Sequence, residues 1–227
     1  MAGMIDPEAA ELSDGWMVVD LFDEVQASAL RRRWDVIARD RTIEWDDRRF
    51  YTSMLDPTLR DHVDGELQEF SDHITANAVG YGVFVAAWLV KAPGSAGITP
   101  HLDWSVVEDE ESRPTYNVFV ATEHLDGPSG ALCVLPGSHR LVDFARGPQD
   151  HRLDWAEATF RERAESAVMV PLRPGQALVY DFRLVHFSAP NATNEPRVVA
   201  GFGIAADADR SGARTAIERS LAAIGRA

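Results

Sequence analysis

His101 and Asp103 stand two residues apart in "ITPHLDW", and His186 follows far downstream in "RLVHFSAPN". Alternate residues of a strand point to the same face, so His101 and Asp103 can offer one imidazole and one carboxylate to a single ion. A third ligand is needed, and His186, at the end of an expected strand, completes the set. Two histidines and one carboxylate on one side of an iron ion leave three adjacent positions open. Non-haem Fe(II) oxygenases use that arrangement to take up a bidentate co-substrate and dioxygen. Arg197 opens the next expected strand, where a guanidinium can grip a carboxylate through two parallel hydrogen bonds, such as the distal carboxylate of 2-oxoglutarate.

Such residues need a rigid frame. From Gly82 onward the chain reads as short β-rich runs separated by glycine and proline: "VFVAAWLVK", "ITPHLDW", "YNVFVATEHL", "GALCVLPGSH", "AVMVPLRPGQALVYDFRLVHF" and "RVVAGFGIAA". Strands this closely spaced predict a sandwich or barrel. In "YNVFVA" the alternation places Asn117, Phe119 and Ala121 on one face and Tyr116, Val118 and Val120 on the other. Ahead of the strands, Val25, Leu30, Trp34 and Ile37 recur at near-helical spacing and predict a helix over Asp23 to Asp40. A second helix is expected from Asp56-Pro57, an N-cap followed by proline at the first helical position, with Leu59, Val63, Leu67, Phe70 and Ile74 on one face. Arg140 to Ser166 is a polar stretch too long for a turn, partly helical, of the kind that covers a site. The tail from Asp207 reads as a weak helix through Ile217, Leu221 and Ile224. The expectation is one domain over 1–227, with helical support in 1–81, a β-barrel in 82–206 and a C-terminal helix in 207–227.

Composition narrows the function classes. The chain of 227 residues is 45% hydrophobic and 26% charged, enough for one sizeable core. A formal net charge of −14 argues against non-specific binding to nucleic acid or an anionic membrane surface. A single cysteine, Cys133, excludes an intrachain disulfide and a multi-cysteine zinc site, which suits a reducing, cytoplasmic setting. No secretory signal is recognised at the amino terminus, and no apolar run approaches the roughly 20 residues of a membrane-spanning helix. The glycosylation-like triplet Asn191-Ala192-Thr193 reads as an ordinary loop.

The motif set His101-Leu102-Asp103, "ATEHLDGPSGALCVLPGSHR", "PGQALVYDFRLVHFSAPN" and Arg197, with "LSDGWMVVDLFDE" near the start, closely resembles the phytanoyl-CoA dioxygenase family of Fe(II)/2-oxoglutarate oxygenases. The resemblance spans nearly the whole chain. It implies a mainly β fold with flanking helices: a double-stranded β-helix, a jelly-roll, cupin-like barrel buttressed by N-terminal α-helices. It also implies that His101, Asp103 and His186 ligate iron and that Arg197 with Ser188 binds the distal carboxylate of 2-oxoglutarate. Phe119 falls where some relatives place an aromatic residue beside the co-substrate, and Asn117, on the same face of a strand that should cross the barrel, faces substrate or co-substrate or simply packs or makes a strand hydrogen bond.

The implied reaction consumes dioxygen and 2-oxoglutarate, releases succinate and carbon dioxide, and hydroxylates a small molecule such as a natural-product intermediate or amino-acid derivative. Halogenating relatives carry a small residue in place of the carboxylate ligand, so Asp103 favours hydroxylation. Desaturation, cyclisation or epoxidation would use the same ligands, and a cupin-like metalloenzyme without 2-oxoglutarate would use the same barrel. Trp104, beside the motif, faces substrate or simply packs. Lys91 matches a position near the pocket in similar sequences, against a reading as a snorkelling surface lysine. Glu108 to Glu111 reads as a solvated acidic loop. His62 and His73 in the second expected helix and His151 in the polar stretch suit solvated or capping roles. His124 and His139 read as structural, and Cys133 as a small apolar core residue.

Overall fold

The computed structural model of the chain describes residues 3–7, 10–56, 59–148 and 153–224. Pro57 and His151 lie outside them. Among the described residues, ten strands form two antiparallel sheets. The larger sheet has the order β1 (Trp16–Asp20), β8 (Gln176–Asp181), β5 (Tyr116–Ala121), β10 (Arg197–Ala206), β3 (Tyr81–Lys91) and β2 (Phe50–Thr52). The smaller has the order β4 (Ile98–His101), β9 (His186–Ser188), β6 (Leu132–Val134) and β7 (Val168–Met169). This is the jelly-roll architecture, with helices confined to the outside.

Period-2 alternation decides what each strand faces. On β5, Tyr116, Val118 and Val120 point outward into a core shared with the N-terminal helices, while Phe119 and Ala121 point between the sheets toward Leu132, Val134 and Leu178. On β10, Val198, Ala200 and Phe202 take the outer side. Arg197, Val199, Gly201 and Gly203 alternate with them, and Arg197, Gly201 and Gly203 line the interior cavity. A Cβ added at Gly201 would meet Leu89 Cδ1 at 2.8 Å, and one at Gly203 would meet Phe84 Cζ at 2.7 Å. Glycine at these two positions keeps the cavity open.

Three helices buttress the outer face. α1 (Glu24–Asp40) starts with a capping box, in which Gln26 N–H donates to Asp23 Oδ1 at 2.8 Å and Asp23 N–H to Gln26 Oε1 at 3.0 Å. It buries Ala27, Leu30, Trp34 and Ile37, but Val25 is 73% exposed, because its position faces away from the sheet. The expected second helix is bent into two, α2 (Arg60–Glu66) and α3 (Gln68–Asn77), around Leu67, whose ψ of 4° departs from helical geometry. Gly65, a poor helix former, lies in the turn just before the bend. The five apolar residues expected along this segment are all buried. Each such burial is worth about 1.5–3 kcal/mol, which makes apolar contact the main tie between helices and sheet. The Asp56 carboxylate accepts from the Tyr51 hydroxyl at 3.3 Å, and the described helix begins at Arg60.

The polar stretch contains α4 (Leu153–Arg163), packed near β4, with Ala156 buried against Leu102, Leu135 and Val185. The tail forms α5 (Arg210–Ile224), which buries Ala213, Ile217 and Leu221 and leaves Ile224 38% exposed. Among the described residues no helix is long and apolar enough to cross a membrane.

Candidate metal centre and co-substrate pocket

β4 and β9 are short, and their pairing places His101 directly opposite His186. The two imidazoles lie 4.1 Å apart between ring centroids. β4 ends at His101, yet Asp103 still reaches the same place, because its N–H donates to Phe182 O at 3.0 Å across the barrel mouth. Leu102 turns the other way, into the apolar cluster under α4. One ligand atom from each of His101, Asp103 and His186 lies within 4.8 Å of the others, and His186 Nε2 stands 4.0 Å from Asp103 Oδ1.

Hydrogen bonds to the backbone choose the tautomers. His101 Nδ1 lies 2.8 Å from Thr99 O, and His186 Nδ1 lies 3.0 Å from Leu184 O. A carbonyl oxygen only accepts, so each Nδ1 carries the proton and each Nε2 presents a lone pair to the cluster. Burial holds both imidazoles neutral, pushing them down to about 4, with His186 adding to the effect at His101. Burial raises the Asp103 carboxyl, against the pull of His101, Asn117 and Arg146. Asp103 Oδ2 is buried with no hydrogen-bond partner. An orphaned buried carboxylate oxygen beside two outward lone pairs is the donor set a divalent transition metal requires.

These shifts carry a pH consequence. Unfolded, His186 takes a proton near 6.5; folded, only near 4, so between these values the unfolded chain binds more protons. The metal-free protein is expected to lose stability as pH falls from about 6.5 toward about 4. Thermal melts across that window should show a shallower decline for His186→Gln than for the wild type; equal slopes would remove His186 as a source of the effect.

Deeper in the same cavity of about 760 Å³ lie Asn117, Phe119, Tyr180, Ser188 and Arg197. Arg197 is 3% exposed; its Nη1 donates to Gly130 O at 2.8 Å and its guanidinium stands 5.6 Å from the Phe119 ring centroid. Burial lowers it to about 10, still well charged at neutral pH. Arg197 Nε, Ser188 Oγ and Asn117 Oδ1 are all buried without a hydrogen-bond partner among the described residues. Buried polar atoms in a folded chain are ordinarily satisfied, so three orphans lining one cavity, two on the larger sheet and one on the smaller, call for an explanation. The loop between His186 and Arg197 is braced by Asn191, fully buried, whose amide donates to Glu195 O at 2.8 Å. The glycosylation-like triplet is thus an internal loop brace.

Trp104 lines the same cavity. Lys91 does not line it and is not a surface lysine either: it is fully buried, with its ammonium donating to Ala189 O, and burial, then Arg197, lowers it to about 7. Its register partner on β10 is Arg197, which explains why the side chain is drawn inward. His124 is exposed, His62 faces Glu66 and His73 contacts Leu21 O, all away from the cluster. His139 stands outside it too, and Cys133 is buried.

Several wall residues were not singled out by sequence reasoning. Tyr180 sits on the inner face of β8 with its hydroxyl 3.4 Å from His186 Nε2, and burial raises its pKa. Its spacing of two from Leu178 marks an inward position but not proximity to a ligand. The segment from Thr42 to Asp56, Leu153 at the start of α4 and Ile217 of α5 also contribute wall. No local motif announces them.

A jelly-roll with two histidines and a carboxylate converging beside a buried arginine defines a class, the non-haem iron, 2-oxoglutarate-dependent oxygenases. The chain belongs to the family described as Phytanoyl-CoA dioxygenase (PhyH), which matches residues 15–199. Among curated proteins none matches significantly. Similar solved structures include the epimerase SnoN in complex with Fe3+, alpha ketoglutarate and nogalamycin RO. It has 20% identity and a TM-score of 0.60, covering 86% of this chain and 81% of that one. EvdO2 from Micromonospora carbonacea var. aurantiaca, complexed with 2-oxoglutarate, has 20% identity and a TM-score of 0.57, covering 91% and 93%. HygX from Streptomyces hygroscopicus, with nickel and 2-oxoglutarate bound, has 14% identity and a TM-score of 0.60, covering 86% and 84%. At these identities the likeness establishes the shared fold.

Proposed function

We propose that this chain is a hydroxylase that oxidises an unactivated C–H bond of a small molecule while converting 2-oxoglutarate to succinate and carbon dioxide. The carrying observation is the convergence in one cavity of three metal donors and a row of orphaned polar groups led by Arg197. In this reading His101, Asp103 and His186 hold Fe(II), which when bound supplies the activation of dioxygen. Arg197 grips the distal carboxylate of 2-oxoglutarate and Ser188 donates its hydroxyl to it; Phe119 packs beside it. Asn117 and Tyr180 orient the end nearer the ligands. The apolar wall of Ala87, Leu89, Phe182 and Ile217 excludes water from the reacting carbon.

Substrate occupies the outer part of the cavity, beside Trp104. Among the described lining residues the only Lys or Arg besides Arg197 is Arg48, whereas Glu44, Asp46 and Asp56 also line the cavity. That charge balance suits a natural-product intermediate or an amino-acid derivative rather than the phosphates of an acyl-CoA. The lone, buried Cys133 fits work in the reducing cytoplasm. A second outcome rests on a specific finding: similar structures include an epimerase and a carbocyclase, so ring closure, desaturation or epoxidation could issue from the same ligand set.

Anaerobic titration of the metal-free protein with Fe(II) and then 2-oxoglutarate tests the assignment. A weak visible charge-transfer band is expected in the wild type and is expected to vanish in His186→Ala. Iron uptake with no band on adding 2-oxoglutarate would point instead to a cupin-like metalloenzyme that does not use this co-substrate.

A further inference from the structure

We infer that Arg146, in the polar segment between β6 and β7, is a positioning residue for Asp103 and holds the carboxylate-bearing turn in place from behind the metal site. The inference rests on the reading of Asp103 as a metal ligand. Asp103 follows the last residue of β4, so no strand ladder fixes it. Its backbone is instead held at both ends: the N–H donates to Phe182 O at 3.0 Å, and the carbonyl accepts from Arg146 Nε at 2.8 Å. Two residues on, Ser105 N–H donates to Arg146 O at 2.9 Å and Arg146 N–H donates to Ser105 Oγ at 3.1 Å. The two segments are thereby laced together over three residues.

The guanidinium is fully engaged. Its side chain has no exposed surface; Nη1 donates to Glu110 Oε2 at 2.9 Å and to Phe144 O at 3.2 Å, and Nη2 donates to Glu110 Oε1 at 2.7 Å. Ser105 Oγ donates to Glu110 Oε2 at 3.0 Å. Glu110 is therefore not part of a solvated acidic loop: its side chain is 12% exposed and forms the far half of a bidentate pair. The planar fork lets one side chain serve a carboxylate on one edge and the Asp103 carbonyl on the other, which an ammonium cannot do. Groups that orient metal ligands from outside the coordination shell ordinarily set affinity by about 10- to 100-fold. Here the brace acts on the ligand's main chain.

The test measures Fe(II) dissociation constants, the position of the Fe(II)–2-oxoglutarate band and the metal-free melting temperature for wild type, Arg146→Lys and Glu110→Gln. Lysine keeps the charge opposite Glu110 but loses the bond to Asp103 O. Arg146→Lys is expected to bind Fe(II) about 10- to 100-fold more weakly and to shift or broaden the band. Glu110→Gln, which keeps an acceptor for the fork, is expected to show a smaller loss in the same direction. A folded Arg146→Lys with wild-type iron affinity and band overturns the inference. If that variant does not fold, Glu110→Gln decides, and unchanged affinity and band in it overturn the inference. A wild type that takes up no Fe(II) would instead overturn the reading of the metal site itself.

Discussion

Asp103→Ala is expected to abolish dioxygen-dependent formation of succinate from 2-oxoglutarate. The loss should exceed the roughly 100-fold that removing an outer-shell partner alone can cost, because it deletes the proposed anionic ligand itself. The same substitution should leave the fold intact. Asp103 is held through its main chain, by Phe182 O and Arg146 Nε, and alanine keeps both bonds. Burial raises its carboxyl, so at neutral pH the ionised side chain works against folding of the metal-free protein. The metal-free melting temperature of Asp103→Ala should therefore equal or exceed that of the wild type while succinate formation disappears. A variant that retains full activity would remove Asp103 from the ligand set. One that loses activity only by unfolding would show the residue to be structural.

Arg197→Lys is expected to raise the KM for 2-oxoglutarate by about 10- to 100-fold, corresponding to the roughly 1.5–3 kcal/mol of a charge-assisted hydrogen bond. Lysine preserves a positive charge but cannot present two parallel donors, so the effect isolates the fork. The change falls chiefly on KM, since Arg197 sits on the wall away from the three metal donors and acts by binding. Steady-state succinate assays with varied 2-oxoglutarate separate the two constants. An unchanged KM would reassign Arg197 to a structural role built on its bond to Gly130 O. Lys91 cannot substitute for the lost fork, because its ammonium is committed to Ala189 O and it does not line the cavity.

The elements that carry the site were legible where side-chain period reports burial. The alternation of "YNVFVA" put Asn117 and Phe119 on one shared face, and the structure turns that face to the cavity. Near-helical spacing located α1, although Val25 was placed on the buried face and is exposed, since an apolar residue one turn from the core satisfies a spacing rule without reaching it. Phe50 to Thr52 gave no strand signal, being an edge strand of three residues paired to β3. Glu110 read as solvated because its partner, Arg146, is 36 residues away. Lys91 read as a surface residue for the same reason: burial of a lysine is set by what surrounds it in space.

By itself the sequence determined the class of chemistry and of frame: the types of the proposed metal donors, an arginine rather than a lysine for the proposed carboxylate grip, strands rather than helices to carry them, and membership of the PhyH family. These are properties of side-chain identity and of short periods along one chain. Only the tertiary structure decided which groups converge. It brought His186 opposite His101 through the pairing of β9 with β4, set Tyr180 beside His186, drew wall residues from α5 and from the segment before β3, and locked Asp103 between Phe182 and Arg146. The reason is physical: a hydrogen bond or a shared cavity depends on distance in space, and distances between remote segments are fixed by how sheets and helices pack, which no local spacing encodes.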